Sequence, residues 1–298
     1  MSDKQPTSEH WCVAYRRIGD EAFSIVRNPD WAWSADPFLV EYRGEMYLFA
    51  ELFLFRSERC GVIGYCRWDG NGFSGWTISM DKHWHLSYPN VFVHDNMLYM
   101  IPESYQREDI SLYVLDEFPD KWKRVGTIVD NTLSVDTTLV KIKDELYMYT
   151  FEPSFVQDGG SLFLYRIKGE LQQNNIICEK IDKISEKKDC SRPAGNLFVS
   201  DEGALIRPAQ NCQNGYGNGI SFMAVDSFVP VYKEHIVSRL GANDVKINKR
   251  PDDVEYIGLH TYNRLNGFEV IDLKYVVFDP AEQEARERIR KVFVDKYV

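Results

Sequence analysis

From Asp36 to Glu51 the chain reads DPFLVEYRGEMYLFAE, two alternating apolar runs on either side of Arg43-Gly44-Glu45. Period-two alternation marks a strand with one buried face, and a glycine-containing break between two such runs marks a hairpin. The unit recurs as YPNVFVHDNMLYMIPE (88–103), DTTLVKIKDELYMYTF (136–151), GNLFVSDEGALIRPAQ (195–210) and VKINKRPDDVEYIGLH (245–260). A spacing of about fifty residues with strand patterning predicts an all-β fold, a five-bladed β-propeller with one inner hairpin and two outer strands per blade. GVIGYCRW with GWTISM, ISLYVLDEF with WKRVGTIV, SLFLYRIKG with NIICEKI, and ISFMAVDSF with YKEHIV supply the outer pairs. After residue 260 only GFEVIDLKYVVF remains, leaving the fifth blade one strand short, and Trp11–Arg16 (WCVAYR) is the expected closing strand. The expected layout is therefore residues 1–9 without structure, 10–278 as one propeller and 279–298 as a short C-terminal helix. Pro280 suits the start of that helix, with acidic residues ahead of basic ones along it.

In each unit the turn lies midway, so its first and last residues share one end of the hairpin. If the hairpins are the inner strands, both positions face one rim of the central channel. Asp36, Tyr88, Asp136, Gly195 and Val245 come first; Glu51, Glu103, Phe151, Gln210 and His260 come last. Crowded carboxylates are costly without partners or work, which makes this funnel the candidate site.

Composition narrows the partners. A net charge of −10 over 298 residues argues against nucleic acid and against an anionic membrane surface. The polar start MSDKQPTSEH has no apolar signal core and no apolar run is long enough to span a bilayer, so a cytoplasmic location without membrane insertion is expected. The six cysteines show neither a CxxC pair nor zinc spacing, which fits reduced thiols.

Asp36 and Asp136 are the candidate catalytic pair, since glycosidic cleavage needs one carboxylate as base or nucleophile and another as proton donor. Glu103 is a second candidate acid, and an arginine partner from Arg192 or Arg207 is its competing, structural explanation. Glu51, Gln210 and His260 complete the rim. Trp84, His85 and Tyr88 lie in a segment predicted to cover the funnel, where Trp and Tyr faces suit sugar C–H faces; blade-to-blade packing is the alternative for the aromatics. The loop Asn211–Gly219, with Tyr216, offers amides for sugar hydroxyls. No metal site is indicated, nor any cofactor, apart from a possible cation in the channel near His260.

The segments HWHLSYPNVFVHDNMLYMIPES, VDTTLV, SRPAGNLF and LIRPAQNCQNGYG resemble the N-terminal propeller domain of glucosamine inositolphosphorylceramide transferase-like proteins over roughly residues 30 to 230. That domain is similar to the five-bladed glycoside hydrolases, arabinanases, xylosidases and invertases among them. The resemblance implies that Asp36 matches the hydrolases' first-blade aspartate. Tyr88 and the shorter Asp136 stand where the second and third blades should carry an Asp and a Glu. The expected function is a carbohydrate-active propeller that binds a sugar or glycosyl conjugate, with glycosidase-type hydrolysis or glycosyl transfer. The alternative is a non-catalytic glycan-binding module supporting a separate glycosyltransferase partner.

Overall fold

The structure, a computed structural model, describes residues 7–55, 60–154, 159–173, 176–251 and 254–279, with Glu284 and Glu287. Two N-terminal strands, β1 (Ser8–Arg17) and β2 (Ser24–Ile25), precede the first blade. Blade one comprises β3 (Ala32–Tyr42), β4 (Glu45–Leu54), β5 (Gly61–Arg67) and β6 (Thr77–Met80). Blade two follows as β7 (Ser87–His94), β8 (Met97–Glu103), β9 (Asp109–Glu117) and β10 (Lys121–Asp130). Blade three has β11 (Val135–Ile142), β12 (Glu145–Ser154), β13 (Gly159–Lys168) and β14 (Ile177–Ser185). Blade four has β15 (Phe198–Val199), β16 (Leu205–Gln210), β17 (Ile220–Ser227) and β18 (Lys233–Leu240). The fifth sheet uses β19 (Tyr256–Gly258), β20 (Tyr262–Leu265) and β21 (Phe268–Val277), and β1 pairs antiparallel with β21 along its whole length. N-terminal closure of the ring is thus as the sequence predicts, although the strand begins at Ser8, inside the stretch expected to lack structure.

The fifth inner hairpin differs from the expected one. It is not 245–260 but 262–277, where Leu265 pairs with Phe268 across Asn266-Gly267. Both turn residues have positive φ, 46° and 79°, the backbone a two-residue type I′ hairpin requires. Arg43-Gly44 and Asp95-Asn96 turn the first two hairpins in the same way. The expected C-terminal helix falls almost wholly outside the described residues, and no helix among them is long and apolar enough to cross a membrane.

The core lies between blades. Phe38 and Phe49 of blade one pack with Leu86, Leu98 and Met100 of blade two. Ile101 and Leu112 meet Met148 and Ile167 at the next interface, and Val13 and Val270 meet Leu39 and Leu48 where the ring closes. Each blade therefore buries both sheet faces. Three asparagines bind the centre: Asn90 accepts from Leu139 N and donates to Asn196 Oδ1, Asn263 Oδ1 accepts from Asn196 N, and Asn263 donates to Pro37 O. That belt touches all five blades and satisfies polar groups that burial would otherwise penalise.

Candidate functional site

Three inner strands begin with the same backbone device. Asp36 (φ 52°), Tyr88 (φ 40°) and Asp136 (φ 52°) occupy the left-handed region, and the hairpin register slips between Ala35 and Phe38, Ser87 and Asn90, and Val135 and Thr138. Gly195 takes the fourth position with φ 132°. Such bulges re-aim a side chain, and their cost of about 1–3 kcal/mol each persists only where the surroundings hold them. Here a side chain of another blade accepts each strained N–H. Asp272 Oδ2 takes Asp36 N at 3.1 Å, Asp36 Oδ2 takes Tyr88 N at 3.2 Å, and Glu103 Oε2 takes Asp136 N at 3.1 Å. The Tyr88 hydroxyl takes Gly195 N at 2.7 Å and meets Thr138 Oγ1 at 2.9 Å. Tyr88 therefore spans the channel and seals its floor.

Around that floor the charges are paired. Asp136 forms an ion pair with Arg192 Nε and accepts from Gln210 Nε2 at 3.0 Å. His260 stands between two aspartates, its Nδ1 2.7 Å from Asp272 Oδ2 and its Nε2 3.3 Å from Asp36 Oδ1. Thr261 Oγ1 donates to Asp36 Oδ1 at 2.8 Å. Burial pushes the Asp36 carboxyl up to about 6, the His260 charge opposing and Asp136 adding to the rise. Burial, followed by the Asp136 charge, pushes Glu103 up to about 8. Burial also raises Asp272, but the His260 charge and hydrogen bonds outweigh it, so Asp272 stays below the usual carboxylate range.

Aromatic and polar side chains stand above the floor. Tyr216, 45% exposed, packs its ring 5.0 Å from the His260 ring and 6.0 Å from Trp11, with the Arg192 guanidinium 5.0 Å from its centre. Across the mouth, Glu51 lies 3.6 Å from His85 Nε2, whose Nδ1 accepts Gly61 N at 3.0 Å. That bond fixes the Nε2–H tautomer, and burial pushes the ring's pKa down to about 4, so His85 is a neutral donor. A Cβ at Gly61 would sit 2.3 Å from Leu86 O, so only glycine allows this approach.

Asp36, Asp136, Glu103, Glu51, His85, Arg192, Gln210, Tyr216 and His260 thus share one funnel. Three expected residues do not line its mouth. Tyr88 is fully buried as the floor. Trp84 packs against the core between blades one and two, with Arg107 4.9 Å over its ring, because an indole gains more from that apolar seam than from water. Arg207, 1% exposed, forms a two-pronged ion pair with Glu234 and donates to Cys190 O within blade four. It lies on the blade's face because side chains alternate along β16, where Gln210 turns to the channel. Asp272, Thr261 and Trp11 escaped the sequence reading; the Asn266-Gly267 turn was the available signal for Asp272, the residue that follows the Tyr262–Ile271 pair.

Asp36, His260 and Asp272 also bring potential metal-ligand atoms within 4.8 Å of one another. Both nitrogens of His260 already face carboxylate oxygens, and Asp272 accepts backbone N–H groups from Asp36, His260 and Thr261.

The sequence model described as "Glucosamine inositolphosphorylceramide transferase 1, N-terminal" matches residues 2–253. The chain belongs to this family. Glucosamine inositolphosphorylceramide transferase 1 of Oryza sativa subsp. japonica is 29% identical over 224 residues, covering 71% of this chain and 29% of the relative. Its Arabidopsis thaliana counterpart is 29% identical over 202 residues, 64% of this chain and 25% of that one. The chain therefore spans less than a third of the curated relatives it matches. This chain shares its fold with glycoside hydrolases. An α-L-arabinofuranosidase from Podospora anserina superposes with TM-score 0.58 at 11% identity, over 86% of this chain and 95% of that one. A β-fructofuranosidase from Bombyx mori gives TM-score 0.57 at 15% identity, over 91% and 61%. His260 and the closing hairpin that carries Asp272 lie beyond the matched span.

Proposed function

We propose that this propeller binds a sugar or glycosyl conjugate at its funnel without cleaving it, as the recognition module of a glycosyltransferase partner. One observation carries the reading: the aspartates that hydrolysis would need are spent on the scaffold. Asp36 is 4% exposed and holds Tyr88 N, Thr261 Oγ1 and the His260 ring, while Asp136 is held by Arg192 and Gln210. What remains open to a ligand is the mouth, with Tyr216 as a stacking face and Glu103 and His85 as hydrogen-bonding groups. A half-exposed aromatic beside polar groups suits a sugar ring. The name of the relatives, glucosamine inositolphosphorylceramide transferase 1, agrees with a carbohydrate ligand.

Screening wild type on a glycan array, then by calorimetry, tests this. Tyr216→Ala is expected to weaken binding about tenfold, or about 1.4 kcal/mol, with Tm unchanged. A wild type that binds no glycan, or one for which Tyr216→Ala makes no difference, would sink the reading. Hydrolysis or transfer is the second reading, favoured by the split between Asp36 at about 6 and Glu103 at about 8, the pattern of a base and a protonated acid. Turnover of aryl glycosides or nucleotide sugars that disappears in Asp36→Asn would establish it instead.

A further inference from the structure

Arg192, just before β15, and Arg207, in β16, spend their hydrogens differently. Arg207, 1% exposed, gives Nε and Nη2 to Glu234 and Cys190 O. Arg192, its side chain 25% exposed, gives only Nε, to Asp136. A guanidinium has five N–H donors. Among the described residues neither Nη1 nor Nη2 of Arg192 has a hydrogen-bond partner, and neither is sealed from solvent. The fork is nevertheless held still. Asp136 fixes its Nε edge, and the half-exposed Tyr216 ring lies 5.0 Å from its centre. Its backbone is clamped as well, Arg192 O taking Gln210 N at 2.7 Å and Pro193 O taking Gln210 Nε2 at 3.0 Å.

A planar fork fixed along one edge and open at its end is the geometry that grips two oxygens of one group in parallel. The neighbours decide which kind of group. Asp136 spends Oδ2 on Arg192 and Gln210, and Asp36 accepts from Tyr88 N and Thr261 Oγ1. Glu103 takes Asp136 N through Oε2, and burial pushes its carboxyl up to about 8, so at neutral pH it adds an O–H donor. A hydroxyl of a neutral sugar brings a hydrogen that needs an acceptor of its own, whereas a group that only accepts satisfies all of these donors. We propose that the mouth selects a glycosyl conjugate carrying an oxyanion, a carboxylate or a phosphate, and that Arg192 is the specificity-determining residue, its Nη1 and Nη2 donating to two oxygens of that anion beside Tyr216. Fixing the fork in advance spares the rotamer freedom that a loose arginine loses on binding. This selectivity deepens the sugar-binding reading and rests on it.

Titration of the full chain with glucose, glucuronate and glucose monophosphate, which share a ring and differ in charge, tests this. The readout is the ¹⁵N NMR signal of the Arg192 Nε–H group, assigned with Arg192→Lys. Glucuronate or the phosphate, or both, should bind at least about tenfold more tightly than glucose and shift that signal. The tighter of the two names the anion. Arg192→Lys keeps a positive charge beside Asp136 and removes the fork, so the preference should fall to about twofold. If that variant does not fold, the wild-type series still decides. Glucose bound as tightly as both acids, or acids bound without moving the Arg192 signal, overturns the anion and leaves the sugar-binding reading standing. Glycan-array binding confined to neutral glycans overturns it in the same way. Binding of none of the three sugars, with an empty array, removes both.

Discussion

Glu103→Gln gives the sharpest test of the funnel's electrostatics. Glutamine keeps the oxygen that accepts Asp136 N and removes only the ionisation. Burial, with Asp136 beside it, pushes the folded-state carboxyl up to about 8, whereas an unfolded chain ionises it near about 4.3. A raised carboxyl favours folding only while it is neutral. Its contribution is full below about pH 4 and is lost progressively as pH rises towards about 8, because the unfolded chain alone gives up the proton. At about 1.4 kcal/mol per unit, the full interval would amount to about 5 kcal/mol. The side chain is half-buried and Arg192 lies close, so about 2 kcal/mol is the reasonable size. Urea denaturation of both proteins from pH 5 to 9, at a common m-value, reads the difference. The two should be equally stable near pH 5, and Glu103→Gln should be the more stable by about 2 kcal/mol at pH 8, or about 5 °C in Tm. A gap that does not vary with pH, or a variant weaker at pH 8, would mean that Glu103 is ionised and paired with Arg192. The acid assigned to it in the hydrolytic reading would then be lost as well.

Two further outcomes follow from the packing. Arg207→Met should cost about 3–5 kcal/mol, because it strands Glu234 as a buried, unpaired charge, yet it should leave glycan binding unchanged; thermal denaturation with calorimetry would separate the two effects, and a binding defect at intact stability would return Arg207 to the site. Gly195→Ala should destabilise by more than about 2 kcal/mol, since its φ of 132° is closed to alanine and the new Cβ would lie 2.1 Å from Tyr262 O; a Tm within a degree of wild type would contradict that geometry.

Local grammar was enough for most of the fold. Alternation at period two with a turn every fifty or so residues fixed the first four inner hairpins, the blade count and the need for an N-terminal strand, because strand patterning records which face is buried. It also placed Asp36, Asp136, Glu103 and Gln210 at one end of the channel, since register within a hairpin is a local property. The fifth hairpin escaped because its first strand is only Tyr262–Leu265, too short to show alternation, so the Asn266-Gly267 turn went unused.

Only the closed ring decided what those residues do. The bonds that give the site its character join positions far apart in the chain, such as Asp36 N to Asp272, 236 residues away, and Thr261 to Asp36, 225 away. Side-chain alternation along β16 sent Arg207 to a blade face, where Glu234 pairs with it, and Gln210 to Asp136 in the channel. Ionisation likewise depends on burial and on charges brought in by other blades. A sequence can name a carboxylate, but its partners, and therefore its protonation and its freedom to meet a ligand, come from residues that only closure of the ring brings within three ångströms or so.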